Sequence, residues 1–226
     1  MKITYAFRLP DRDEKANLIT IDLHDTSFLY QVEIRELLQW TELGFHQCSN
    51  CPLAVMNNSH CPVAANLQDI VVKFNDMPSF EKTDVYVETP ERTYYKKTSL
   101  QDGLFSVFGV VMATSGCPHL DFLRPMARFH LPFATLDETM IRTCTNFLML
   151  EYFKDPNLPL KLSGIQLFYE EVQKVNSGIL ERVRSIAKED AGKNALVILN
   201  TFAQMIDIEL NSNMESLKKY WDPIIT

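Results

Sequence analysis

Four cysteines stand in turn-like sequence, in Cys48-Ser-Asn-Cys51-Pro, His60-Cys61-Pro and Gly116-Cys117-Pro-His119. Two residues separate Cys48 from Cys51, a spacing that lets two thiolates chelate one ion from a tight turn. Nine more lead to Cys61 and fifty-five to Cys117. Three of the four precede a proline, which fixes the local backbone and removes an amide donor. Such segments make poor regular structure and good rigid ligand loops. The chemistry these residues offer is metal ligation: four thiolates closing a tetrahedral Zn²⁺ site, with Zn–S distances of about 2.3 Å. The same four suit a [4Fe–4S] cluster, and ligand softness does not separate the two. Zinc is the first expectation because His46, His60 and His119 flank the cysteines, as alternative ligands or as donors behind the thiolates. No Lys or Arg lies between residues 36 and 72, so a four-thiolate centre of charge −2 would need amide donors.

Two plainer readings compete with metal. A CxxC also marks thioredoxin-like redox pairs, but those open a helix after a strand, where the helix terminus lowers the thiol pKa. Here a loop and a third cysteine follow. The other reading makes the thiols small buried hydrophobes, which is the reading for Cys144, set among Ile141 and Leu148 in a helical stretch.

A second cluster follows Cys117: His119, Asp121, Arg124, Arg128 and His130 fall within fourteen residues. Paired guanidiniums grip carboxylate or phosphate, and His beside Asp can serve as acid and base. Arg124, Arg128 and His130 are therefore candidate anion-binding residues, with His119 beside them in an enzyme-like arrangement. The competing reading is a surface salt-bridge cluster, and Pro125 weakens a shared helical face. No nucleophile elbow, HExxH helix or phosphate-cradling glycine loop is present, and no residue is singled out as catalytic.

These residues are carried by 226 residues with 22 Lys+Arg against 29 Asp+Glu, a net charge of −7 with no basic block. Broad binding to nucleic acid or to an anionic membrane surface is excluded, since both need clustered cations. No apolar run reaches the ~18–20 residues of a membrane span, and no secretory leader stands at the N-terminus. A cytoplasmic, reducing setting follows, and five cysteines, an odd number, argue against a disulfide framework. A protein partner is open.

The elements that must position the cysteines read as follows. Residues 2–9 and 17–23 alternate as a β-hairpin, and residues 84–95 form a second one turning at Pro90-Glu91. Residues 27–43 are ambiguous, with Phe28, Tyr30, Val32 and Ile34 alternating like a strand. Residues 63–75 are helical, and Ser99 caps a helix buried on nearly every side that stops at Gly116. Thr135-Leu-Asp-Glu138 is a capping box opening a helix to about Phe153, and Ser163-Gly-Ile-Gln166 repeats the signature. Asp190 caps a last helix carrying Leu199, Phe202, Ile206, Leu210, Met214, Leu217 and Trp221 on one face.

The expectation is one α+β domain over 1–226. It has a β-rich subregion (1–43), a Cys/His region (44–130) and a helical region (131–226) ending in an antiparallel helical hairpin. The runs from Trp40 to Leu53, His60 to Ala64, Met112 to His119 and Arg124 to Ala134 resemble an uncharacterised family of bacterial proteins. That resemblance implies a bacterial cytosolic origin and no activity. The residues themselves lead to an intracellular metal-binding protein whose site is structural or regulatory. The alternatives are a [4Fe–4S] redox or sensor protein on the same cysteines, and an enzyme or anion-binding protein centred on Arg124, Arg128, His119 and His130.

Overall fold

A computed structural model of the chain describes residues 1–9, 17–23, 27, 29–30, 36–157, 159–212 and 214–225. Strands β1 (Lys2–Arg8) and β2 (Asn17–Asp22) pair antiparallel, Ile3 opposite Ile21 and Tyr5 opposite Ile19. Strands β3 (Lys82–Glu88) and β4 (Thr93–Ser99) form the second hairpin. The two hairpins are not separate: β1 also pairs antiparallel with β3, Phe7 opposite Val85, giving one sheet of order β2-β1-β3-β4. A lone two-stranded hairpin is marginal in water, and joining them pools one apolar face. Ile3, Tyr5, Phe7, Ile19, Ile21, Val85 and Val87 all point inward and are buried. Residues 28 and 31–35 of the ambiguous 27–43 stretch lie outside the described residues; within the rest, Gln39–Thr41 is a short 3-10 turn.

Helix α1 (Pro62–Lys73) and helix α2 (Leu100–Ala113) form the layer beneath the sheet. The Ser99 hydroxyl accepts from the Asp102 amide, as the sequence predicts for this cap. Gly103 is required where α2 crosses the sheet, because a Cβ there would stand 2.6 Å from Phe7 Cε1.

The second half is helical. A 3-10 turn (Asp121–Leu123) leads into the short α3 (Arg124–Arg128), then α4 (Leu136–Lys154), whose capping box at Thr135 and Glu138 is formed. Helices α5 (Ile165–Ile186) and α6 (Ala191–Asn211) make the helical hairpin, and two short turns, α7 (Glu215–Lys218) and α8 (Asp222–Ile225), close the described chain.

Three local expectations are corrected. The Ser163–Gln166 box does not form: the residue before α5 is Gly164, left-handed at φ 99°, and no side chain caps the helix. Asp190 does not cap its own helix through its side chain; its carboxylate accepts from the Ser79 amide and hydroxyl, tying α6 to the loop before β3. The stripe from Leu199 to Trp221 is not one helix, because α6 ends at Asn211 and Met214 turns left-handed at φ 54°.

Candidate metal centre

The Cys-rich stretch is a loop closed at its neck. Leu43 donates to the Ser59 carbonyl and Cys61 to that of Thr41, so the two ends of the 44–59 segment run side by side. Such a compact loop with joined ends is held by its own packing and neck bonds. Within it the Cys51 amide donates to the Cys48 carbonyl, the tight turn that the CxxC spacing calls for. Cys61 occupies the position before α1, with Pro62 in the first helical turn. Cys117 follows Gly116, which turns left-handed at φ 85° beyond the end of α2.

Helix α5 is the platform on which these segments meet. Gly178 lies against Cys48, and the Cys48 thiol lies 3.9 Å from the Val175 carbonyl. Asn50, inside the CxxC, donates to the Glu171 carbonyl and carboxylate at 3.1 and 2.7 Å. His119 joins the Cys117 segment to the CxxC loop: its Nε2 donates to the Asn50 carbonyl at 2.7 Å, and its Nδ1 faces the Glu171 carboxylate at 3.5 Å.

The four thiols lie within electrostatic reach of one another. Burial, chiefly, pushes Cys48 up to about 11 and Cys117 up to about 12, with neighbouring thiols adding to both. Cys61 is also raised by burial, with a smaller contribution from Cys51. Opposing this, the Val63 and Ala64 amides at the start of α1 favour the Cys61 thiolate, and the His119 amide favours that of Cys117. All five cysteines are free thiols. Among the described residues, no three His, Cys, Asp or Glu side chains stand close enough together to hold a single ion as arranged.

Sequence reasoning missed Arg182. It is fully buried, and its guanidinium donates to the carbonyls of Trp40, Glu42 and Leu43 at 2.7–2.9 Å while its Nε has no acceptor. No carboxylate pairs with it among the described residues, and its charge favours the thiolates of Cys48 and Cys61. The signal was present as a cation beside the apolar stripe of α5, between Ile179 and Val183. Gly178 and Glu171 were missed as well. A glycine inside a strongly amphipathic helix, which costs about 1 kcal/mol against Ala, hints at close approach by another segment.

The flanking histidines part company. His60 Nδ1 pairs with the Thr41 hydroxyl at 2.9 Å, and His46 is exposed, edge-on to Phe45. The second cluster is likewise dispersed. Arg124 is ion-paired with Asp121, and Arg128 lies 3.5 Å from Glu91. His130 contacts the Tyr5 hydroxyl, far along the chain from the partners of His119. Cys144 is buried in α4, with its thiol 3.4 Å from the Met214 sulfur.

The fold and site define an α+β protein in which four thiols lie within electrostatic reach of one another, with the Cys48 thiol against, and a buried guanidinium carried by, one long helix. The chain belongs to a family described as a domain of unknown function, DUF6901, which it matches over residues 3–222. No curated protein and no solved structure matches it. Among the described residues, no helix is long and apolar enough to cross a membrane.

Proposed function

We propose that this protein binds a metal centre through Cys48, Cys51, Cys61 and Cys117, and that the centre ties the 44–61 loop to the segment after α2. The observation that carries this reading is Arg182. A buried cation without a counter-charge is strongly unfavourable; no carboxylate pairs with Arg182 among the described residues, and it acts on the thiols of Cys48 and Cys61, groups that acquire negative charge when they ligate a metal. The guanidinium and the amides of Val63, Ala64 and His119 are the donors that a −2 four-thiolate centre requires. The donor set is soft, which suits zinc or iron–sulfur. The site is structural or regulatory, in a reducing cytoplasm.

Zn²⁺ is the first reading, and it needs the sulfurs drawn inward around one ion. A [4Fe–4S] cluster on the same four cysteines is the second reading. A cluster places each thiolate on a different iron and so spans a wider gap.

Elemental analysis of protein purified without oxygen tests both. Stoichiometric zinc in a colourless preparation supports the first reading; iron with acid-labile sulfide and absorbance near 400 nm supports the second. Protein free of stoichiometric metal, with Cys51→Ser as stable as the parent, overturns the proposal.

A further inference from the structure

The opposite side of α5 lines a partly open cavity of about 170 Å³, bordered by α2, α4, α5, α6 and the segment around α3. Its walls are apolar and rich in rings and thioethers: Phe105, Phe133, Phe202, Met112, Met126 and Tyr169. An engineered protein cavity of roughly 150 Å³ binds benzene, so this one has room for a ring with a small substituent.

Polar side chains also reach the lining: Ser106, His130, Thr139, Arg142 and Tyr169 are hydrogen-bonded, and Asn176 stands apart from them. Asn176 is only 3 % exposed, lines the cavity, and makes no side-chain hydrogen bond with any described residue. Two other buried amides of the fold are engaged: Asn66 donates to the Tyr30 carbonyl, and Gln68 both accepts from the Leu38 amide and donates to the Glu36 carbonyl. The Asn176 amide is not among the fully buried side-chain atoms that lack a partner, so it reaches the open space of the cavity, where a leucine at this place in α5 would present no polar group. An amide aimed into an apolar cavity is how small-molecule sites fix one polar group of a ligand.

We propose that this cavity binds a small uncharged aromatic molecule, of one ring or two fused rings, whose single hydrogen-bonding group meets Asn176. Rings and thioethers favour an aromatic guest through edge and sulfur contacts. An uncharged guest fits because the nearby polar groups are already occupied or neutral. Arg142 Nη2 donates to the carbonyls of Met126 and Phe129, and burial holds His130 down at about 3, keeping it uncharged at neutral pH. Entry is from the surface cleft that shares His130, Leu131 and Arg142 with the cavity. The site is independent of the metal reading, since it uses none of the four cysteines.

Phenol, indole and toluene, titrated calorimetrically into the full chain, test the proposal. Phenol and indole should bind, with toluene about tenfold weaker, the worth of roughly one hydrogen bond. Asn176→Leu should erase the phenol-over-toluene preference, and Ala203→Phe, which fills the cavity from α6, should abolish binding of all three with metal content unchanged. The proposal is overturned if none of the three binds up to its solubility limit. It is equally overturned if Asn176→Leu keeps the preference, or if Ala203→Phe folds and still binds. Should Asn176→Leu not fold, Ala203→Phe alone decides.

Discussion

Gly178 and Cys48 touch across the seam between α5 and the cysteine loop: a Cβ on the glycine would stand 2.5 Å from the Cys48 sulfur and 3.3 Å from its Cα. The loop can therefore seat only on a helix that lacks a side chain at this point. Gly178→Ala gains about 1 kcal/mol of helix propensity but must lift the loop, at an overpacking cost of about 1–3 kcal/mol. The expected outcome is a folded protein with a lowered midpoint in urea and reduced metal content. A variant that matches the parent in both would show that the loop does not bear on this helix.

Arg182→Met removes the guanidinium from the carbonyls of Trp40, Glu42 and Leu43, of which Glu42 keeps the Phe45 amide as a donor. Bonds from a charged donor contribute about 1.5–3 kcal/mol each, so the variant should lose about 3 kcal/mol or more in urea unfolding. Arg182→Lys should recover part of this, since one ammonium cannot span all three carbonyls with the geometry of a planar fork. A Met variant within about 1 kcal/mol of the parent, by the same scale of bond energies, would mean that water replaces the guanidinium.

Thr135→Ala removes the hydroxyl that accepts from the Glu138 amide and breaks the box at the start of α4. The loss should be about 1 kcal/mol, read as a drop in the thermal midpoint. Metal content should not move, because the cap lies outside the site. A coupled loss of metal would show that α4 supports the cysteine segments.

Acid should weaken the fold through His130. Burial first, and the Arg142 charge second, lower its pKa from 6.5 to about 3; Tyr5 packs against the same ring. The unfolded chain thus binds a proton between pH 6.5 and 3 that the folded chain does not. Stability is full above about pH 6.5 and falls as the pH drops toward 3. Between pH 6.5 and 4.5 the carboxylates with lowered values, such as Asp190 and Glu171, still contribute little to the slope. In that window His130→Gln should flatten the dependence of the urea midpoint on pH; an unchanged slope would assign the titration elsewhere.

What could be read from the sequence was what is set locally. Thr135 and Glu138 each accept through the side chain from the other's backbone amide, and the alternation of Ile3, Tyr5 and Phe7 specifies a strand with one buried face. The β1–β3 pairing is set by residues eighty apart, and nothing in either hairpin names its partner. The failed box at Ser163 shows the limit of a short signature: Gly164 reaches a left-handed turn that no other residue adopts so easily, and this redirects the chain before a serine cap can form.

The candidate site was legible in its ligands and hidden in its support. Cysteine spacing and proline neighbours single out Cys48, Cys51, Cys61 and Cys117. Arg182 reads in sequence as one more charge on an amphipathic helix. Its role appears only when the 40–43 turn aims three carbonyls at it, a convergence across about 140 residues of chain. Asn176 was hidden for the opposite reason, since one amide within an apolar stripe carries no motif.

The neck of the cysteine loop has a consequence for how the molecule tolerates damage. Its tip is open to proteases, with Met56 95 % and Val55 57 % exposed, while the strands entering and leaving it are bonded to each other and clamped from α5 by Arg182. A single cut at the tip would give two fragments on a denaturing gel that still travel as one particle in native buffer, each half keeping its own cysteines in place.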